Sequence, residues 1–200
     1  MRIDVEIEVL SPLQLGYGGA DIIIDSEAAH DKYGLPVFPA KRLKGLLYES
    51  ALEMSEISGG KWFTNNDVDC LFGHSETEEA GFRIDNFYLP DYSEMCKSWK
   101  YLQNTYSGIF TPELVFGTYT DVRFQTSIDK KSGTTKDGSL HNMRVVDSGV
   151  KFNGSIYLKD DSKINKDILA KALLNLRFAG GKRNRGCGHI KCRIIAEENC

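Results

Sequence analysis

The chain contains no run of about 18 consecutive apolar residues, so no membrane-spanning helix is expected. Its opening stretch, MRIDVEIEVL, alternates polar and apolar residues and lacks the apolar centre of a signal peptide. The five cysteines, at positions 70, 96, 187, 192 and 200, are odd in number and unevenly spaced. They make neither a disulfide framework nor a paired CxxC zinc site. These absences together predict a cytoplasmic protein. Internal repeats and low-complexity tracts are missing, as are a Walker A loop and a dinucleotide fingerprint. No Ser-His-Asp or Cys-His arrangement can be read from the spacing. A net charge of −3 argues against a freestanding, non-specific nucleic-acid binder.

What is present is a chain of 200 residues, 41% of them hydrophobic, enough for a real core in one domain with room for an insertion. Its charge is segregated. Residues 180–193 carry Lys182, Arg183, Arg185, Lys191 and Arg193 without an acid, whereas residues 65–95 carry eight acids against Arg83. Such a two-faced chain suits a protein that holds RNA on one side and protein on the other. The basic end begins with Gly180-Gly181-Lys182-Arg183-Asn184-Arg185-Gly186-Cys187-Gly188-His189, four glycines and three cations in ten residues. Glycines let main-chain N–H groups approach an anion, and adjacent cations add the donors that phosphates accept. The bland alternative is a helix C-cap at Gly180 followed by a surface turn.

Ile3, Val5, Ile7 and Val9 alternate with polar residues and predict a half-buried strand. Pro39 opens a helix whose Leu43, Leu46, Leu47 and Met54 share one face until Gly59-Gly60. Residues 60–113 give few firm elements beyond a short strand near Phe82 to Leu89. Residues 114–129 and 140–158 read as extended segments joined by a polar loop, a long β-hairpin with Lys130, Lys131 and Lys136 at its tip. Ile164, Ile168, Leu169, Ala172, Leu173 and Leu176 mark a second amphipathic helix, and Ile190, Cys192 and Ile194 a closing strand. The fold class is therefore α+β, a ferredoxin-like or RRM-like β-α-β-β-α-β core within a single domain, 1–200. The insertion spans about 60–113 and the hairpin about 119–158.

Three segments, in order, resemble the RAMP superfamily, the RNA-binding subunits of CRISPR effector complexes. They are Gly34-Leu35-Pro36-Val37-Phe38-Pro39-Ala40-Lys41-Arg42-Leu43-Lys44-Gly45, then Arg123 to Thr134 followed by Leu140 and Val145-Val146, and the glycine loop at 180–188. Ala40-Lys41-Arg42 stands where the family typically has small residues after its helix-opening proline. Within the family, the chain is most similar to the repeated backbone subunit of type III complexes. That resemblance implies binding of guide RNA, cleavage of complementary target RNA with a divalent metal (Mg²⁺ or Mn²⁺), and assembly with sister subunits or repeated copies in a filament. It implies a catalytic aspartate in the loop between the first strand and first helix, at Asp25 in its Ile-Asp context, with Asp21 as the alternative. It implies RNA contacts from Lys41, Arg42 and Lys44, and from Gly180, Gly181, Lys182, Arg183, Asn184, Arg185, Gly186 and Gly188. The hairpin becomes a "thumb" carrying Lys130 and Lys131, with Leu140 or Met143 as a wedge between RNA bases.

Two rival readings belong to the same superfamily. One is an RNA-binding subunit without catalysis. The other is a metal-independent, guide-processing endoribonuclease, for which His30 is the candidate histidine. Cys70 and His74 have a C-x3-H spacing that is poor support for zinc, and no metal-ligating residue is assigned.

Overall fold

The computed structural model describes residues 1–16, 26–74, 79–129, 132–136, 138–160 and 162–198. Strand β1 (Arg2–Val9) lies at the centre of the molecule. Its odd positions, Ile3, Val5, Ile7 and Val9, are almost fully buried. It pairs antiparallel with β5 (Lys151–Leu158) on one side and β6 (Ile190–Glu198) on the other. Ile3 opposes Ile156, Ile7 lies between Phe152 and Cys192, and Val9 opposes Ile190, so one face of the sheet is continuously apolar. The short strand β2 (Phe82–Ile84) adds to β5, giving the order β2-β5-β1-β6. On the opposite face Lys151 and Arg193 both reach Glu6, at 3.3 and 3.5 Å, and Arg193 also meets Glu8 at 3.1 Å.

Helices α1 (Ala40–Ser58) and α5 (Lys163–Asn175) contribute Leu43, Leu47, Ala51, Ile168, Leu169 and Ala172 to the same core. Ser50 Oγ donates to the Ala172 carbonyl at 2.8 Å and fixes one helix against the other. Pro39 supplies extended backbone (ψ 132°) before α1, and left-handed Gly59 closes it, its N–H donating to the Glu56 carbonyl and the Gly60 N–H to the Ser55 carbonyl.

The 60–113 region is more ordered than its sequence suggests. It holds α2 (Asn65–Phe72), opened by a Thr64–Asp67 capping box, and α3 (Tyr92–Thr105). Residues 114–117, expected as strand, are the last turn of α4 (Pro112–Gly117). Thr111 accepts from the Leu114 N–H and Pro112 occupies the first turn, two start signals that outweigh the strand preference of Val115 and Phe116. The extended run over 140–158 is two strands. β3 (Thr120–Gln125) and β4 (His141–Val146) form a separate two-stranded ribbon, while β5 joins the main sheet. The turn between them contains Gly149 at φ 90°.

Candidate nucleic-acid interface

A cleft of about 800 Å³ opens where the start of α1 faces the loop after α5. Lys41 and Arg42 line it from α1, and Gly180, Gly181 and Arg183 from the loop. Gln14, Gly16, Ser26, Asn86 and the acidic Glu49 also line it. Gly16 and Ser26 flank residues 17–25, so Asp21 and Asp25 lie outside the described residues, as do Lys130 and Lys131 on the hairpin.

The helix start suits an anion. α1 has no acidic residue in its first turn, and Lys41 and Arg42 are both exposed there, while the Ala40 N–H is taken by Asn86 Oδ1 at 2.8 Å and the Arg42 N–H by the Pro39 carbonyl at 3.0 Å. Arg42 Nη2 donates to the Gly16 carbonyl at 3.3 Å, which ties the helix to the beginning of the flanked segment. Lys44 is not part of this wall. Its ammonium sits 5.7 Å from the Phe82 ring centroid, and it does not line the cleft with Lys41.

The glycine loop has two tasks. Gly180 (φ 72°) and Gly188 (φ 82°) adopt left-handed backbone, and a side chain at either would collide with the carbonyl of Gln14 or Ala179. The Gly181 and Gly188 amides donate to the Gln14 and Pro12 carbonyls at 3.1 and 2.9 Å. These amides stitch the loop to residues 12–14, so the anion donors that the sequence assigned to the whole nest are fewer than its glycine content implies. Between the glycines, Lys182 is itself left-handed (φ 59°), and a single 3-10 turn at Arg183–Arg185 holds three exposed side chains, Arg183, Asn184 and Arg185. Arg183 Nε donates to the Gly180 carbonyl at 3.2 Å and Nη1 lies 3.9 Å from Glu49. Arg185 turns toward the hairpin, where Nη1 donates to Gln125 Oε1 at 3.3 Å.

The hairpin stands over the same end of the molecule. Met143 is buried with Val145 and Cys187, so the glycine loop and β4 share a small second core and Met143 points inward. Leu140 is exposed, and so are Phe124 and Ile128, two apolar side chains that the sequence reading did not single out. Their signal was available: a two-stranded ribbon with no covering layer leaves apolar positions in solvent.

Other candidates are placed elsewhere. His30 Nδ1 is 2.7 Å from the Asp31 carbonyl oxygen, and its ring packs on Phe116 at 4.5 Å, away from the cleft lining. His74 stacks on Tyr48 and Cys70 is exposed. Among the described residues no three His, Cys, Asp or Glu side chains gather as a metal site. Asp31, unremarked in the sequence, organises the approach to α1. Its Oδ1 accepts from the Tyr33 and Leu35 amides and its Oδ2 from the Tyr92 hydroxyl at 2.7 Å. Burial and the Asp31 carboxylate push the Tyr92 phenol well above its usual range.

A sheet backed by two helices, a glycine-rich basic loop and a projecting ribbon make up an α+β architecture. The family model described as the RAMP superfamily matches residues 6–191, and the chain belongs to that superfamily. The CRISPR system Cms endoribonuclease Csm3 of Methanocaldococcus jannaschii is 37% identical over 189 residues, covering 86% of this chain and 68% of that protein. A chain of the type III-B Cmr-beta complex bound to cognate target RNA has the same fold, with a TM-score of 0.72, 16% identity and 96% of each chain covered. A chain of the apo type III-B Cmr-beta structure gives a TM-score of 0.72 at 15% identity over 98% of each chain. Among the described residues no helix is long and apolar enough to cross a membrane.

Proposed function

We propose that this chain is a backbone subunit of a type III CRISPR effector that binds guide RNA along the cleft and cuts complementary target RNA with Asp25. One observation supports this most. The cleft is lined by Lys41, Arg42 and Arg183 together with Gly16 and Ser26, the two ends of the segment that carries Asp25. The chain thus enters and leaves the segment carrying Asp25 at the edge of the proposed phosphate cleft. Lys182, Arg185 and Asn184 extend the phosphate contacts beyond the cleft, with open backbone at Gly186 for close approach, while Gly180, Gly181 and Gly188 seat the loop on its neighbours. In this reading the path β1-α1-β2-β5-α5-β6 is a ferredoxin-like core in a single domain, and the thumb projects as β3–β4. Leu140, Phe124 and Ile128 are then the apolar side chains available to part guide from target.

The reaction is an attack of a ribose 2′-hydroxyl on its own phosphodiester. Asp25 accepts or orients the hydroxyl proton, the bond to the 5′-oxygen breaks, and that oxygen leaves with a proton. The products are a 2′,3′-cyclic phosphate and a 5′-hydroxyl. The cofactor of this reading is Mg²⁺ or Mn²⁺, which supplies charge neutralisation at the phosphate. Such ions are commonly held by one or two carboxylates plus substrate phosphate oxygens, so Asp25, with Asp21 as the alternative, would hold an ion shared with RNA. Sister subunits or repeated copies along a guide RNA fit the modest charge of each copy, because affinity is shared along the filament. A cytoplasmic location goes with these partners.

The test is cleavage of labelled RNA complementary to the bound guide, in the reconstituted complex with Mg²⁺ or Mn²⁺. Regularly spaced cuts that vanish in Asp25→Ala, with RNA binding kept, are expected. Intact RNA with both proteins, and normal assembly, would leave a non-catalytic RNA-binding subunit. The guide-processing alternative is disfavoured by His30, whose ring is engaged with Phe116 and Asp31. Metal-free cutting of repeat RNA by the purified chain would revive it.

A further inference from the structure

The β4 strand grips the chain immediately after Asp25. The Arg144 N–H donates to the Ser26 carbonyl at 3.0 Å, and Met143 and Ser26 form a parallel bridge. The Arg144 guanidinium faces Glu27, with Nε 2.8 Å from Oε1, an ionic approach without an aligned hydrogen bond. Its Nη1 donates to Thr120 Oγ1 on β3 at 3.3 Å, and its centre lies 5.2 Å from the Phe116 ring centroid. Gln14 Nε2 donates to Ser26 Oγ from the opposite side, and the Ala28 N–H donates to Glu27 Oε1 at 3.1 Å. A planar guanidinium held by a carboxylate, a hydroxyl and an aromatic face has one orientation available.

We propose that Arg144 is a positioning residue for target cleavage, tying the thumb ribbon to Ser26–Glu27 so that the ribbon's seating on RNA sets the geometry of cleavage. This rests on the reading of Asp25 as the cleaving carboxylate. Magnitudes favour geometry over stability as the role of the contact. At side-chain exposures of 21% and 25% the pair is partly screened by solvent and is one contact beside a large apolar core, so its share of folding stability is modest. A displacement of about 1 Å at a reacting group costs about a hundredfold in rate.

The test uses the reconstituted complex with guide RNA and compares wild type, Arg144→Ala, Glu27→Gln, and the swap Arg144→Glu with Glu27→Arg. Target affinity and the single-turnover rate at saturating target are measured for each. The expected result is unchanged affinity, a rate lowered about ten- to a hundredfold in both single variants, and partial recovery in the swap. A purely structural contact would lower assembly or affinity along with rate, and the milder Glu27→Gln guards against a misfolded Arg144→Ala. Wild-type rates in both single variants, with Asp25→Ala dead, would overturn the role of Arg144 alone. No cleavage by wild type would overturn the function reading itself.

Discussion

Replacing Lys41 and Arg183 together by alanine removes two cations from facing walls of the cleft. Little folding stability goes with them. Lys41 is exposed, and Arg183 is tied only to the Gly180 carbonyl and, at 3.9 Å, to Glu49. Exposed contacts of this kind contribute about 0–1 kcal/mol. If each cation meets one phosphate of single-stranded RNA, each accounts for about 0.7 of the slope of log affinity against log salt. The double variant should therefore bind with a slope shallower by about 1.4. Over a roughly fourfold rise in salt, wild type would lose about sevenfold more affinity than the variant. Fluorescence anisotropy of labelled RNA across a salt series reads this directly. Arg193→Ala is the control, because that guanidinium is already paired with Glu6 and Glu8 on the far face of the sheet. A slope unchanged in the double variant, or lowered equally by Arg193→Ala, would refute the assignment of the cleft to phosphate.

Three smaller predictions concern the scaffold. Gly188→Ala forces a side chain into left-handed backbone and against the Ala179 carbonyl, so thermal unfolding should show a loss of more than about 1 kcal/mol. Burial and the nearby Asp121 carboxylate raise the Asp147 pKa, with Arg123 opposing. The folded state then holds this proton more tightly than the unfolded chain, and stability falls as pH rises from the ordinary aspartate value through the raised one. Asp147→Asn should therefore raise the melting temperature at neutral pH and leave it unchanged at a pH below both values. Burial in β6 pushes the Cys192 thiol up to about 12, whereas Cys70 is exposed. Iodoacetamide at neutral pH should label Cys70 and spare Cys192 in the folded protein, and rapid labelling of Cys192 would contradict the packing of β6 on β1.

The elements legible in the sequence are those whose pattern is local. β1 has strict alternation, α1 has a proline start and a Gly-Gly stop, and α5 has an apolar stripe that ends up on Ser50 and the rest of α1. The misreadings are of two kinds, one a local start signal outweighing composition and the other set by distant pairing. Leu114-Val115-Phe116 favours a strand by composition, yet Thr111 and Pro112 start a helix there. The 140–158 run is extended on either side of a turn at Gly149, and only pairing sends one half to the ribbon and the other to the sheet. The same division holds at the site. A cluster of cations at 182–185 is visible in one dimension, but the separation of Lys41 from Lys44 depends on where Phe82 lies. Arg144, Glu27 and Gln14 carry no local signature, since each acquires its role from a partner on another element.

The overall charge of −3 misleads because it averages two faces. On the open side of the sheet, cations are consumed internally: Arg2 meets Asp4 at 2.8 Å, Lys151 meets Glu6, and Arg193 meets Glu6 and Glu8. At the cleft the pattern reverses. Among the described residues no carboxylate pairs with Lys41, Arg42 or Lys182, and Arg183 has only the long approach to Glu49. The open face of the sheet is thus already neutralised, while among the described residues the helix start and glycine loop keep cations without a close carboxylate. A polyanion meeting this surface finds its favourable potential along the line from α1 to the 182–185 turn and not across the strands. That placement, more than the total charge, directs where RNA should run.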